Sequence, residues 1–193
     1  SSPSWSLSAI GCFEQCQLKA RYKYVDHIKE KRSSAAGRGV EFHKIIEDFL
    51  LGTSPSLTPE LSYYEPWLKE VKQHEIYPEY KISLCRDWNP TPWDGPSVHL
   101  KAVLDLLVVR RREAEGNSEA EREAEELIIY DWKTGKIYPS HDDQKELYSL
   151  AAFAVFPTVR RVRAIHVYFD SRQLREKTYY KSEMHSMRDR WIN

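Results

Sequence analysis

Asp131 and Lys133, separated only by Trp132, are the two residues in this chain whose types and spacing most directly suggest chemistry. They close an apolar, β-prone run, Leu127-Ile-Ile-Tyr-Asp131, and Thr134-Gly135 stops it. Side chains at i and i+2 of a strand share a face, so the carboxylate and the ammonium project together from the end of a buried strand. An acid beside an ammonium suits a metal-activated water. The carboxylate holds a cation, while the lysine orients or deprotonates the water and offsets the negative charge of the transition state. The same tripeptide also makes an ordinary surface ion pair, so its meaning depends on its companions.

Several companions exist. Asp105 lies inside Val103-Leu-Asp-Leu-Leu-Val-Val109. A lone carboxylate buried there costs several kcal/mol, so it needs a cation or hydrogen bonds. His43 and Glu47 are one helical turn apart, as are Gln144 and Tyr148. Glu79 heads the alternating run Glu-Tyr-Lys-Ile-Ser-Leu84. Each has a plain alternative: a core histidine, a strand-edge carboxylate, a core tyrosine with an exposed hydroxyl.

The elements that must position these residues can be read from periodicity. A first helix is capped by Ser8 and carries Ile10, Phe13, Cys16 and Ala20 on one face, with Lys19 and Lys23 opposite. A polar loop over 31–39 leads to a second helix over 38–51, with Phe42, Ile45, Ile46, Phe49 and Leu50 as its stripe. A third helix over 59–75 offers Tyr63, Trp67, Leu68 and Val71 for burial. Strands are expected over 79–84, 98–109, 127–131 and 159–169, with an edge strand over 178–181. The proline-rich stretch 87–96 is a connecting loop. Residues 142–156 read as a helix ended by Pro157, and 182–191 as a last helix. Residues 111–126 form a charged insertion. It is nearly without apolar side chains, is expected to be mobile, and cannot repay its ordering entropy.

The chain has 193 residues, 41% hydrophobic and 30% charged, which suits a single globular domain over 1–193. It contains no long uninterrupted apolar run, so no membrane span is expected, and its start does not resemble a signal peptide. Three cysteines, Cys12, Cys16 and Cys85, are too few for a disulfide framework and point to a reducing compartment. Cys12 and Cys16 read as buried thiols or as two of a metal site's ligands. The formal net charge is zero. Residues 113–126 carry seven Glu and one Arg, so the remainder is basic by six. The excess is concentrated over 17–38, where Lys19, Arg21, Lys23, Lys29, Lys31, Arg32 and Arg38 face only Asp26 and Glu30, and again at Arg160, Arg161 and Arg163. Such patches fit a polyanionic partner or merely solvated faces.

In this order the motifs resemble the PD-(D/E)xK nuclease superfamily, in particular its RecB-like exonuclease branch, which includes CRISPR-associated and phage nucleases. The resemblance rests on Gly39-Val-Glu-Phe-His43-Lys-Ile-Ile-Glu47, Asp105, Asp131-Trp-Lys133 and Gln144-Lys-Glu-Leu-Tyr148. Ser6-Leu-Ser8 with Cys16-Gln-Leu-Lys-Ala-Arg-Tyr22 is similar to the branch's N-terminal segment. It implies a restriction-endonuclease-like α/β core, a mixed central sheet flanked by helices. It implies DNA phosphodiester hydrolysis with Mg²⁺ or Mn²⁺ held by His43, Asp105, Asp131 and the Trp132 carbonyl. Lys133 would position the water. Glu79 would serve a second metal or hold Lys133, and Glu47 would orient His43. Gln144 and Tyr148 would line the groove and contact the DNA backbone or help order the water. Apart from the resemblance, the basic excess just before the His43 helix, with Lys29, Lys31, Arg32 and Arg38, is expected to grip the phosphates. Many members carry an iron–sulfur cluster on one N-terminal and three C-terminal cysteines. Cys16 or Cys12 matches the first, but no cysteine follows Cys85, so either this member lacks the cluster or the C-terminus has been trimmed, and no cluster is expected in these 193 residues. The expected partner is DNA, as single strands or duplex ends, with protein partners in a recombination, repair or CRISPR-type machine and no membrane. The expected location is the cytoplasm, at the nucleoid. The competing implication is a catalytically silent nuclease fold that binds DNA or assembles a complex.

Overall fold

The computed structural model describes residues 4–28, 34–111 and 124–192. Its centre is a five-stranded sheet in the order β1 (Glu75–Leu84), β2 (Leu100–Arg111), β3 (Ala124–Lys133), β4 (Arg161–Tyr168), β5 (Gln173–Tyr180). Neighbours are antiparallel except β3 and β4, which run parallel. A parallel pair needs a crossover, and the helix over Ser140–Val155 supplies it. Helices lie on both faces, giving the mixed α/β, restriction-endonuclease-like core that the resemblance implies.

The helices are α1 (Leu7–Gln15), α2 (Gln17–Tyr24), α3 (Ser34–Leu51), α4 (Glu65–Val71), α5 (Ser140–Val155) and α6 (Met184–Ile192). One face of the sheet packs Leu104, Leu127, Ile129 and Val162 against Leu147, Leu150 and Phe153 of α5 and Met187 of α6. The other packs Leu106, Tyr130, Trp132 and Val167 against Phe42, Ile46 and Phe49 of α3 and Leu68 of α4. The His43 motif of α3 and the Gln144 motif of α5 therefore approach the sheet from opposite sides.

Several expectations are corrected. The first helix is two, because Cys16 is extended (φ −163, ψ 106) and resets the helical period. The cap of α1 is Ser6, whose hydroxyl accepts from the Ala9 N–H at 3.3 Å, rather than Ser8. Cys16 is exposed and Cys12 half-buried, so they are not a buried pair. The 59–75 helix shrinks to α4, after a 3₁₀ turn over Ser62–Tyr64. Pro66 lacks an N–H and suits the first turn of a helix rather than its interior. Tyr63 is consequently 62% exposed. β1 begins before Pro78, which an edge strand tolerates because one side of its ladder is free. β2 and β3 extend into the supposed insertion. Glu126 lies within β3, 2% exposed, and pairs with Arg161 at 2.8 Å and Arg110 at 3.4 Å. The rest of the insertion, residues 112–123, lies outside the described residues. Among the described residues no helix is long and apolar enough to cross a membrane.

One irregularity bears on function. In β2, Leu100, Ala102 and Leu104 face α5, whereas Leu106 faces α3. In β1, Tyr80, Ile82 and Leu84 pack on the α5 side and Ile76 on the other. The two-residue alternation thus inverts in both strands at the same level, at Asp105 and Glu79. The ladder passes from Pro78↔Leu106 to Tyr80↔Leu104, and Glu79 between them has φ +52.

Candidate active site

Asp105 lies at that inversion, with a side chain 11% exposed. One oxygen, Oδ2, accepts the Trp132 N–H at 2.7 Å, and Oδ1 is 3.3 Å from His43 Nδ1. His43 Nε2 is 2.9 Å from the Trp132 carbonyl oxygen. The imidazole is therefore clamped between a carboxylate and a carbonyl. Burial lowers its pKa, but Asp105 and the Trp132 carbonyl outweigh burial and raise it to about 9. Gly39, one turn earlier on α3, makes this approach possible: a Cβ there would stand 3.1 Å from Thr134 Oγ1.

Donor atoms of His43, Glu79 and Asp105 lie within 4.8 Å of one another. Burial, reinforced by the Asp105 carboxylate, pushes the Glu79 pKa up. Crowded acids with one imidazole and a backbone carbonyl beside them fit a hard divalent cation such as Mg²⁺ or Mn²⁺. A cation would relieve the repulsion that raises Glu79. Glu47, expected to steady His43, bonds instead to Lys44 at 3.2 Å.

On the α5 side, Lys133 Nζ is 2.6 Å from Asp131 Oδ2 and donates to Gln144 Oε1 at 2.7 Å. Gln144 Nε2 donates to Asp131 Oδ1 at 2.9 Å and to the Tyr148 hydroxyl at 3.1 Å. The strand spacing of two and the helix spacing of four thus close a network of four side chains. Asp131 is 4% exposed. Burial and then the Asp105 charge push its pKa up, against the pull of Lys133. Tyr148 is held protonated: burial, followed by Asp131, drives its pKa well above the ordinary phenol value. Gly135 (φ +93) ends β3 in a conformation that favours glycine, and its N–H donates to Asp170 Oδ2 at 2.8 Å.

The basic residues are placed less simply. Arg38 pairs with Asp170 at 2.7 Å and with Glu60, and lies over the Phe42 ring. Lys29, Lys31 and Arg32 lie outside the described residues.

The sequence reading missed a polar cluster behind Asp131. His166 is Asp131's register partner on β4, 1% exposed, with Nε2 3.9 Å from Asp131 Oδ2. Burial lowers its pKa to about 4, so the ring is neutral. His141 of α5 packs edge-on to it and bonds through Nδ1 to the Tyr168 hydroxyl at 2.7 Å. The available signal was a histidine inside the apolar run Ala164-Ile-His-Val-Tyr168.

One family matches: the model of the PD-(D/E)XK nuclease superfamily aligns with residues 4–192. No curated protein sequence matches the chain. Among solved structures, a protein from Eubacterium rectale named as a suspected exonuclease aligns with 97% of this chain and 76% of its own, at 11% identity and a TM-score of 0.51. The crystal structure of SSO0001 aligns with 100% of this chain and 76% of its own, at 12% identity and a TM-score of 0.46. At such identities the likeness concerns the fold.

Proposed function

This chain belongs to the PD-(D/E)XK nuclease superfamily, and from that membership we propose that it is a divalent-metal-dependent deoxyribonuclease, an exonuclease of the RecB-like branch. The substrate is then a nucleic acid and the reaction phosphodiester hydrolysis. The observation that carries the reading is the meeting, at the end of β3, of two groups of side chains. His43, Glu79 and Asp105 are within 4.8 Å of one another, and Lys133 is bonded to both Asp131 and Gln144.

In this reading His43, Asp105, Asp131 and the Trp132 carbonyl would hold Mg²⁺ or Mn²⁺, and Glu79 would join them. The cation supplies Lewis acidity, which stabilises negative charge on a phosphoryl group and acidifies water. The chain's own residues do the rest. Lys133 orients the attacking water, and its ammonium offsets the charge gathered on the phosphorane-like transition state. Gln144 fixes the lysine through Oε1 and the acid through Nε2, so the two keep one relative geometry. Tyr148, protonated at neutral pH, donates to a non-bridging phosphate oxygen. His166, neutral and buried, backs Asp131 with a dipole instead of a second positive charge.

The exonuclease assignment draws on the RecB-like motif order and on the name of the Eubacterium rectale neighbour. The test is a digestion series on linear duplex, single strand and closed circular plasmid, with Mg²⁺, Mn²⁺ or EDTA. Release of nucleotides from ends that stops in EDTA supports the proposal. Binding without cleavage in both metals supports the silent, assembly-type reading instead.

A further inference from the structure

A groove of about 1700 Å³ opens beside the site, between α1, the loop joining β1 to β2, and α5. Gln144 and Tyr148 form part of its wall, so it is continuous with the Lys133 network. The wall formed by the β1–β2 loop and α1 holds Trp88, Trp93 and Phe13, the last 43% exposed. Lys19, Lys23 and Lys101 also line it.

Two features of this wall are built rather than incidental. Trp88 has φ +64, a left-handed conformation that is strained for a bulky residue. A tight turn fixes it, with its N–H donating to the Cys85 carbonyl at 3.0 Å and Cys85 N–H to the Asn89 carbonyl at 2.9 Å. Trp93 carries the Lys101 ammonium 4.7 Å and the Lys81 ammonium 5.5 Å from its ring centroid. A phosphate that draws either lysine off the ring exposes that π-face to the adjoining base.

The charge is modest. Of the acids in the groove, Glu146 is engaged by Arg190 at 2.7 Å and by Trp191 Nε1 at 3.2 Å. Lys101 also reaches Asp94 at 3.4 Å, and Glu14 and Asp143 line the groove together with the lysines. A surface built to grip a duplex by its two backbones needs more cations than this. Aromatic faces serve it poorly, because duplex bases are stacked on one another and show only their edges. Single strands bind by the other combination, bases on aromatic rings and a few cations tracking one backbone.

We infer that this groove is the track along which single-stranded DNA reaches the Lys133 centre, its bases stacked on Trp93 and Trp88 and its backbone on the lysines. The inference rests on the nuclease reading above and adds to it the form of the substrate.

The test is binding of a short oligo(dT), and of a duplex of equal length, to the full chain in Ca²⁺, followed by quenching of tryptophan fluorescence. The oligo(dT) is expected to bind at least about tenfold tighter and to quench. With at most three lysine contacts, the log–log salt slope should be about −2, shallower than the slope of about −5 to −9 for six to ten duplex contacts. Trp93→Ala should weaken oligo(dT) about tenfold or more while Trp93→Phe restores much of the loss. Lys101→Ala, which leaves the rings in place, should flatten the slope by about 0.7. None of these variants should change hydrolysis of bis(p-nitrophenyl) phosphate, a diester without bases. Equal affinity for the two forms, or oligo(dT) binding indifferent to both Trp93→Ala and Lys101→Ala, overturns the track. Failure to hydrolyse the small diester in Mg²⁺ or Mn²⁺ overturns the nuclease reading and leaves the binding result to stand on its own.

Discussion

Glu79 faces Asp105 across the β1–β2 ladder at the one level where both strands exchange their faces, and Glu79 does so with φ +52. A non-glycine residue in the left-handed region inside a strand is uncommon and strained. The strain accompanies a gain: it brings a second carboxylate to the donor group of His43 and Asp105.

Glu79→Gly should therefore separate stability from metal binding. Glycine removes the strain and a repelling charge, at the cost of about 0.5–1 kcal/mol in unfolded-chain entropy. The metal-free variant is expected to melt no lower than the parent, and its Mn²⁺ affinity to fall. Calorimetric titration beside a thermal melt reads both. A lower melting temperature would mean that Glu79 makes stabilising contacts outweighing its strain.

His43 gives a pH dependence of definite sign. Its pKa is raised from the ordinary 6.5 to about 9, so at neutral pH the metal-free protein holds a proton that a cation must displace. Apparent Mn²⁺ affinity should rise close to tenfold per pH unit up to about pH 9 and then level. The same shift means that His43⁺ stabilises the metal-free fold fully below about pH 6.5, and that this contribution disappears as pH rises through 9. Titrations in two buffers of different ionisation enthalpy count the released proton, and release of none at neutral pH refutes the assignment.

Much of this centre was legible in the chain because local periodicity encodes it. Asp131 and Lys133 share a face by strand spacing, Gln144 and Tyr148 by helix spacing, and the structure joins the four. Gly39 precedes His43 by one turn for a reason the sequence could not state, the nearness of Thr134. What was not legible is tertiary. Nothing in the sequence around Cys16 says that the helix breaks there, and nothing around Arg38 says that Asp170 claims it. His166 enters only through the β3–β4 register, which is fixed by the α5 crossover and not by any pattern near Asp131. The Glu79 inversion is invisible for a similar reason: alternation read along one strand assumes an unbroken pleat.

Lys133→Ala should leave metal affinity within a few-fold of the parent and lower turnover by roughly two to four orders of magnitude, the scale of a lost acid–base or electrostatic group. Its ammonium touches Asp131 and Gln144 and is itself no metal donor, so the carboxylates, the imidazole and the Trp132 carbonyl all remain in the variant. Single-turnover cleavage in saturating Mg²⁺ is the measurement. Undiminished turnover removes the lysine from the mechanism.

Gln144 distinguishes a positioning network from a mere collection of polar contacts. Its Oε1 accepts from Lys133 while its Nε2 donates to Asp131 and Tyr148. Gln144→Ala loses all three bonds, two of them to charged groups worth about 1.5–3 kcal/mol each in a partly buried setting, so a loss of about ten- to a hundredfold in turnover is expected. Gln144→Glu keeps the shape and the bond to Lys133, but a carboxylate cannot donate to Asp131 and repels it instead. If the network works by holding Asp131 and Lys133 at one geometry, the isosteric acid should be at least as impaired as alanine, with KM on bis(p-nitrophenyl) phosphate little changed in both. If Glu restores activity that Ala loses, the bond to Lys133 alone is what matters, and the Gln144–Asp131 bond is incidental.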